Sequence, residues 1–326
     1  MSLDADHIVD RRRMRRKLTF WRVLTVFIAI AGVVAIAYSL APRAASFTGA
    51  DFIARIKIQG LIRGDQQRVE ALDRLARSRT AKAVIVHIDS PGGTTAGAEQ
   101  LYDALTRLKG KKPIVAVVNG LAASGGYIAA MAADHIVAQE TSLVGSIGVL
   151  FQYPNFTDLL KTVGISVEAI RSSPLKAAPS GFEPTSPEAR AAIEAVVLDT
   201  YKWFRNLVQT RRSLDQALLE RVSDGRVFTG RQGVELKLID ALGEEKTAVD
   251  WLVKEKNIKA GTPVRDFNLE PRFGDLPFLH VAAVTVLESI GLRSLAQRVE
   301  TWGALRAMER LNLDGLLALW HPPIAQ

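Results

Sequence analysis

The chain contains no cysteine among its 326 residues. Without thiols it forms no disulfide, no thiolate zinc site, no iron–sulfur cluster and no cysteine nucleophile. Its five histidines are scattered, without the HExxH spacing or any other close ligand spacing of a metal site. It also lacks a Walker A loop and a GxGxxG loop, which cradle phosphates. We therefore expect neither a metal nor a cofactor.

The positive charge of the chain is concentrated at one end. The net charge is +8, and residues 1–22 carry seven basic and three acidic side chains, so this short tail holds half of the excess. The distribution argues against a nucleic-acid partner. Charged residues make up 23% and hydrophobic ones 48%, which excludes a disordered chain and a polytopic transporter.

An apolar stretch follows the basic tail directly. Residues 23–41, VLTVFIAIAGVVAIAYSLA, are nineteen positions without a charge. About 17–25 apolar residues span a membrane as a helix, whereas the apolar region of a signal peptide has about 7–15. The length favours an uncleaved anchor; cleavage in the following APRAAS stretch is the alternative. Because arginines precede the span, the positive-inside rule predicts a single-pass protein of the bacterial inner membrane with its remainder in the periplasm.

The rest of the chain alternates predicted strands with predicted helices. Strongly apolar runs end in glycine-containing turns and lead into amphipathic stretches, a pattern typical of an α/β domain with a largely parallel sheet. Residues 171–187 contain four prolines and read as a long loop, and a helix over 186–212 starts with Ser186 as cap and Pro187 in its first turn. The predicted strands cover residues 51–62, 83–88, 114–118, 135–138, 147–151 and 166–170. The first two predicted helices cover residues 66–77 and about 95–108.

Two turns carry residues suited to acyl-transfer chemistry. In NGLAASGGY, residues 119–127, Ser124 follows a buried strand among small residues, which exposes its hydroxyl at the carboxyl end of the sheet and puts the Gly125 N–H beside it. The alternative for this serine is a helix cap. The second turn is SPGG, residues 90–93, whose backbone N–H groups could complete an oxyanion site; an ordinary tight turn is the alternative.

A nucleophilic serine needs a base, and the histidines are poorly placed for that role. His7 precedes the span, and His87 lies in a buried strand pattern. His135 reads as a satisfied surface or core residue, and His280 and His321 lie in the tail.

A lysine can replace histidine where burial lowers its pKa, because only the uncharged amine accepts a proton. Lys176 lies in the proline-rich loop beside Leu175, Ala177 and Ala178, with no carboxylate within six residues. A solvated loop lysine is the alternative.

Three segments together resemble the signal peptide peptidase A family of membrane-anchored serine proteases. They are IDSPGGTTAGAEQLYDAL, then VNGLAASGGYIAAMAADHIVAQETSLVGSIGV, then IRSSPLKAAPSGFEPTSPEAR, and the likeness extends over about residues 52–255. It implies the fold of Clp protease and the crotonases, with repeated β-β-α units. It departs at Lys237, where the family usually has glycine, and it does not cover the tail beyond about residue 260.

The resemblance also implies a role for each site residue. Ser124 matches the nucleophile, Lys176 the general base, and Ser146 the serine that orients the lysine. Gly93, chosen over Gly92, and Gly125 match the residues whose backbone N–H groups hold the oxyanion. The domains expected are a basic cytoplasmic tail over 1–22, a transmembrane anchor over 23–41, a Ser–Lys protease domain over 50–258 and a helical or amphipathic extension over 259–326.

The family further implies remnant signal peptides and other unfolded peptides as substrates, inner-membrane lipid as surroundings, and a homo-oligomer, with an octamer expected. Three other functions remain as alternatives. Residues 122–126 approximate the nucleophile elbow of an α/β-hydrolase-like esterase, which needs a downstream histidine. Residues 173–176 spell the SxxK of penicillin-binding proteins, but neither partner motif is intact. A non-catalytic crotonase-like membrane scaffold would be marked by loss of the serine or the lysine.

Overall fold

A computed structural model describes residues 20–21, 50–269 and 316–320. The chain divides into two compact units, Met1–Ala50 and Asp51–Gln326. In the first unit Phe20 and Trp21 are helical. The predicted anchor over 23–41 lies outside the described residues. Within the described ranges, no helix combines the length and apolar character needed to cross a membrane.

The second unit has an α/β architecture, as predicted. Its first half alternates long strands and helices, and its second half consists of helices with short strands between them. In chain order its described elements are β1 (Phe52–Ile62), α1 (Gln66–Arg77), β2 (Ala81–Thr94), α2 (Thr95–Lys109), β3 (Ile114–Ala123), α3 (Gly125–Ala130), β4 (His135–Ala138), β5 (Leu143–Gly145), α4 (Thr157–Thr162), α5 (Pro187–Arg212), α6 (Gln216–Val222), β6 (Val227–Thr229), α7 (Gly230–Glu235), β7 (Ala241–Leu242), α8 (Glu245–Lys256), β8 (Val264–Asp266) and β9 (Leu317–Leu319).

The described strands form one sheet with the path β6-β5-β3-β2-β1-β8, and β4, β7 and β9 pair off this path. The strands β1, β2, β3, β4 and β5 pair in parallel, while β6 and β9 are antiparallel to their neighbours. Because the carboxyl ends of parallel strands meet at one edge, the turns after β2 and β3 come together there.

Burial on both faces explains why the central strands are apolar throughout. In β2, Val84 and Val86 belong to the larger core cluster, whereas Ile85 faces a smaller cluster completed by Ala248 and Leu252 of α8. Strands covered on both faces show near-continuous apolar runs rather than alternation. Apolar runs made β2 and β3 recognisable from sequence, whereas β1 was recognised by its period-two alternation.

The helix predicted over 186–212 is confirmed as α5. Ser186 caps it through its side chain, which accepts a hydrogen bond from the Ala189 N–H at 3.1 Å, and Pro187 occupies the first turn. Such a cap contributes about 1 kcal/mol, and proline fits there because that position needs no N–H donor. The short strand over 135–138 is confirmed as well.

The strands predicted over 147–151 and 166–170 are wrong. The chain is irregular in both ranges, and only Leu150 forms an isolated bridge, to Leu317. Apolar composition produced these predictions, but in the described residues no neighbouring strand supplies a ladder for them. A strand needs such a partner to satisfy its backbone.

The backbone at Lys237 explains why the related family usually has glycine at this position. Its φ is 58°, in the left-handed region, where a side chain costs about 1–2 kcal/mol and glycine costs nothing. A lysine therefore occupies a conformation that favours the glycine of the related family.

Candidate active site

Ser124 occupies a strained turn between β3 and α3. Its φ and ψ are 54° and −115°, and no hydrogen bond from its side chain caps the helix. Such a sparsely populated conformation costs about 1–3 kcal/mol and persists only where the surroundings enforce it. The Ser124 N–H donates to the Gly145 carbonyl at 2.7 Å, which holds the turn against β5. The alternative of an ordinary helix cap is therefore wrong.

The Ser124 hydroxyl is buried without a partner among the described residues, so the prediction that the turn exposes it is wrong for the single chain. The residue is 1% exposed, and its Oγ makes no hydrogen bond to any described residue. Leaving a buried polar group unpaired costs about 1–3 kcal/mol. A strained backbone and an unsatisfied hydroxyl at the same residue are features of functional sites rather than of structural turns.

Tyr127 anchors the helix that follows the serine. Its ring is fully buried, and its hydroxyl donates to the Leu238 carbonyl at 2.7 Å. Burial raises the pKa of Tyr127, so the hydroxyl stays a donor. The tyrosine of the SGGY motif thus ties α3 to the segment before β7.

The SPGG turn packs directly on the serine turn. A Cβ built on Gly92, whose φ is +102°, would lie 2.7 Å from the Gly125 nitrogen. The Ser90 hydroxyl donates to the Gly60 carbonyl at 2.6 Å and accepts from the Gly92 N–H at 3.1 Å. The Gly92 N–H is therefore engaged within the turn itself, and the choice of Gly93 as oxyanion donor stays a prediction.

Ser146 directly follows β5, the strand that pairs with the end of β3. Ala123 and Gly145 are paired between β3 and β5, so Ser124 and Ser146 directly follow paired residues. Ser146 is buried, has a φ of 51°, and donates its N–H to the Arg226 carbonyl at 2.8 Å. The structure therefore brings Ser124, Ser146 and the predicted oxyanion glycines to one edge of the sheet.

Lys176 does not join this group within the single chain. It is exposed in a turn, its N–H donates to the Ser173 carbonyl at 3.1 Å, and its Nζ contacts no partner among the described residues. It lines a cavity of about 530 Å³ together with Ile170, Phe182 and the Arg171–Glu183 ion pair, and Ser124 is not in that lining. The Ser–Lys dyad stays a prediction.

The two described histidines have partners elsewhere. His87 contacts Glu245 at 2.6 Å through Nε2 and Asn119 at 3.1 Å through Nδ1. His135 stacks on Trp251 with ring centroids 4.7 Å apart, and burial lowers the pKa of His135. Since the Ser124 hydroxyl has no partner in the described ranges, neither histidine forms an esterase-like pair with it. His7, His280 and His321 lie outside the described residues.

Sequence analysis missed two parts of this site. The first is the role of the Ser90 hydroxyl, which holds the SPGG turn through its bonds to Gly60 and Gly92; the place of Ser90 directly before Pro-Gly-Gly was the available signal. The second is β9, which lies along Gly92 and Gly93 although it comes from the far end of the chain. No signal in the sequence pointed to that pairing. In the part of the chain that the structure describes, no three acidic or histidine side chains are grouped to hold a metal.

Comparison with known proteins identifies related families in two overlapping regions. The Clp protease family matches residues 62–142, and peptidase family S49 matches residues 106–259. The S49 match contains Ser124, Ser146 and Lys176. The predicted α/β fold of the Clp protease type is confirmed in this coarse form by the sheet and the first match.

Three relatives illustrate the extent of similarity. A putative protease of Synechocystis is 36% identical over 200 residues, which are 61% of this chain and 72% of the relative. The putative signal peptide peptidase SppA of Enterococcus faecium is 30% identical over 200 residues, 61% of this chain and 58% of the relative. Protease 4 of Haemophilus influenzae is 26% identical over 286 residues, 84% of this chain and 46% of the relative.

Proposed function

We propose that this chain, which belongs to peptidase family S49 and is a serine peptidase, cleaves peptides through a Ser–Lys dyad of Ser124 and Lys176. The observation that carries the proposal is the buried, unpartnered hydroxyl of Ser124 in a strained turn beside Gly93 and Gly125. This arrangement at one edge of the sheet supports Ser124 as the nucleophile and the N–H groups of Gly93 and Gly125 as the oxyanion donors.

In the proposed mechanism, Ser124 Oγ attacks a peptide carbonyl and passes its proton to the neutral amine of Lys176. The oxyanion accepts hydrogen bonds from the N–H groups of Gly93 and Gly125. The lysine then protonates the leaving amine, which gives an acyl-enzyme. Water then hydrolyses the acyl-enzyme ester. Lys176 again acts as the base, and Ser146 orients Lys176.

The exposure of Lys176 supports assembly as part of the proposal. A lysine acts as a base only in its neutral form, which burial favours. The surrounding segment also exposes apolar side chains that a protein surface rarely leaves uncovered together. We infer that a neighbouring copy covers this segment and brings Lys176 against a Ser124 hydroxyl, in a ring for which the family suggests eight copies. The exposed apolar residues are Phe156, Leu159, Val163, Ile165, Val167, Ile170, Leu175 and Phe182.

For substrates and location we propose remnant signal peptides cut at the periplasmic face of a bacterial inner membrane. The name of the E. faecium relative supports the substrate class. The uncharged stretch over 23–41 and the basic tail before it support a single-pass anchor. A ring would also restrict the site to unfolded segments.

Labelling with a fluorophosphonate tests the nucleophile directly. We expect one adduct, mapped by mass spectrometry to Ser124, and none in Ser124→Ala. An adduct on another serine in the wild-type protein would contradict the assignment.

Mixing tests the shared site. Inactive Ser124→Ala and Lys176→Ala proteins, dissociated and reassembled together, should regain part of the peptidase activity if serine and lysine come from different copies. A fully active monomer by light scattering would refute assembly as a requirement.

A further inference from the structure

The far end of the chain adds a strand to the sheet beside Ser124. β9 runs antiparallel to the last residues of β2, the SPGG turn and its continuation. The paired positions are Gly92 with Leu319, Gly93 with Ala318 and Thr94 with Leu317. Beyond them, the Thr95 N–H donates to Leu316 O at 3.0 Å and the Trp320 N–H donates to Pro91 O at 2.7 Å.

The register decides which backbone groups of β9 face the active site. In an antiparallel ladder, hydrogen-bonded pairs alternate with non-bonded pairs. The two flanking bonds therefore make Gly93 and Ala318 the hydrogen-bonded pair between them, in which the Gly93 N–H donates to the Ala318 carbonyl. Consistent with this alternation, Leu317 turns its N–H and carbonyl the other way, to Leu150, at 3.0 and 3.1 Å.

The Ala318 carbonyl thus accepts a hydrogen bond from the Gly93 N–H, one of the two donors that the proposed mechanism assigns to the oxyanion. It is also close to the other one: its oxygen is 3.1 Å from the point where a Cβ on Gly125 would lie, and 1.9 Å from the corresponding point on Gly92. Ala318 is completely buried. The Ala318 carbonyl therefore lies where the reacting carbonyl of a bound peptide substrate would have to lie.

We propose that residues 316–320 occupy the substrate groove, so that the chain's own C-terminal segment competes with peptide substrates. This inference rests on the proposed function and adds how the substrate binds. A peptide would replace β9 as an antiparallel strand between the end of β2 and Leu150. Its carbonyl at the position of Ala318 would face Gly93.

The same geometry defines the class of peptide that fits. Main-chain hydrogen bonds on both sides of β9 hold an extended segment whatever its side chains, as in other cases of strand addition. Leu317 and Ala318, the residues that now fill the groove, are apolar and buried. The groove therefore takes extended, apolar segments and rejects folded ones.

Binding of a labelled peptide to inactive protein tests the inference without requiring catalysis. Two Ser124→Ala proteins are compared, one ending at Gly315 and a matched control ending at Trp320, which keeps β9. The probe is a fluorescein-labelled peptide of the sequence DGLLALWHPP, residues 314–323 of this chain. Fluorescence polarisation should give a Kd at least about tenfold lower for the shorter protein, because apparent affinity scales with the fraction of open groove. Equal Kd values would overturn the inference.

A full-length variant guards against misfolding of the shortened chain. Ala318→Arg puts a long cation at a fully buried position and should bind the peptide like the protein ending at Gly315, whereas Gln326→Arg adds the same charge and should bind it like the parent. Weak binding by Ala318→Arg, with its circular dichroism unchanged, would contradict the proposal.

Hydrolysis of denatured casein by the serine-bearing proteins separates this inference from the proposed function. Absence of hydrolysis, together with tighter peptide binding after removal of β9, would refute the activity and support the occupied groove. Hydrolysis together with unchanged peptide binding would refute the occupied groove and leave the activity supported.

Discussion

Ser124 lies in a turn whose neighbours on both sides are buried, whereas Lys176 lies in a turn whose residues mostly reach solvent. The first turn is held by the chain's own core, through the bond from Ser124 to Gly145 and the packing of Gly92 on Gly125. In the second turn, the Nζ of Lys176 has no partner among the described residues. The position of Ser124 is thus fixed within one chain, while that of the Lys176 side chain depends on what covers its segment.

The largest expected effect joins the two regions. Ser124→Ala and Lys176→Ala should each lower kcat/KM for peptide hydrolysis at least about a thousandfold, because a nucleophile and its base act as a unit. Lys161→Ala is the matched control, an exposed lysine on the same segment whose Nζ lies 3.4 Å from Asp158. Near-normal activity of Lys176→Ala with circular dichroism unchanged would break the comparison by removing the lysine from the mechanism.

The buried turn should be intolerant of small changes. Gly92→Ala would put a Cβ 1.9 Å from the Ala318 carbonyl oxygen and 2.7 Å from the Gly125 nitrogen. We expect a loss of about 3 kcal/mol in unfolding free energy from overpacking and strain together, and about a hundredfold lower kcat from displacement of the serine turn.

Gly261→Ala is the control, because Gly261 has a φ of +79° but no atom within 4 Å of the added Cβ. It should cost about 1 kcal/mol and leave kcat unchanged. Denaturant unfolding and initial rates measure both effects. Equal losses in the two variants would show that positive φ alone, and not packing at the site, limits the turn.

Substitutions in the exposed apolar segment around Lys176 should leave the stability of the single chain unchanged but impair its assembly. Ile170 is fully exposed, so Ile170→Asp should leave the unfolding of an isolated chain unchanged. In a covered interface the carboxylate would be buried, and we expect at least about a tenfold drop in kcat/KM, equivalent to about 1.4 kcal/mol, with a smaller particle by light scattering. Val234→Asp, at an exposed apolar residue of α7 outside that segment, is the control. Unchanged size and activity would place the interface elsewhere.

The smallest expected effect concerns the ion pair between Arg55 of β1 and Glu245 of α8. Hydrogen bonds from Arg55 hold the pKa of Glu245 below its ordinary value. A carboxyl pKa lowered by folding adds stability above the ordinary value of 4.5 that is lost as the pH falls below it. Glu245→Gln should therefore reduce the difference in unfolding free energy between neutral and acidic pH by about 1 kcal/mol, with kcat at neutral pH unchanged.

The exposed Glu235, which forms no ion pair among the described residues, serves as the control for that variant. Glu235→Gln should keep the full pH dependence. The same flattening in both variants would assign the effect to net charge rather than to the Arg55–Glu245 pair.

Long, buried elements could be predicted from the sequence because burial leaves a periodic record along the chain. The alternation in β1, the apolar runs of β2 and β3, and the cap and proline of α5 indicated an α/β domain and located the turns after its strands. Ser124, Gly125 and the SPGG turn were singled out because small residues directly after a buried strand indicate a close approach of backbones; the choice of Gly93 within that turn came from the family resemblance. The bounds were less exact, and β2 runs six residues beyond its predicted end.

Short strands and distant contacts were decided only by the tertiary structure. Strands of two or three residues, such as β5, β7 and β8, are too short to show a period, and each forms because a neighbouring strand offers a ladder. The irregular stretch over 166–170 is equally apolar but has no such neighbour among the described residues. Local sequence thus determined where Ser124 lies, because its surroundings are buried by adjacent elements of the chain. Whether Lys176 meets it, and that β9 lies against Gly93, depend on surfaces brought together from far along the chain, which no local pattern encodes.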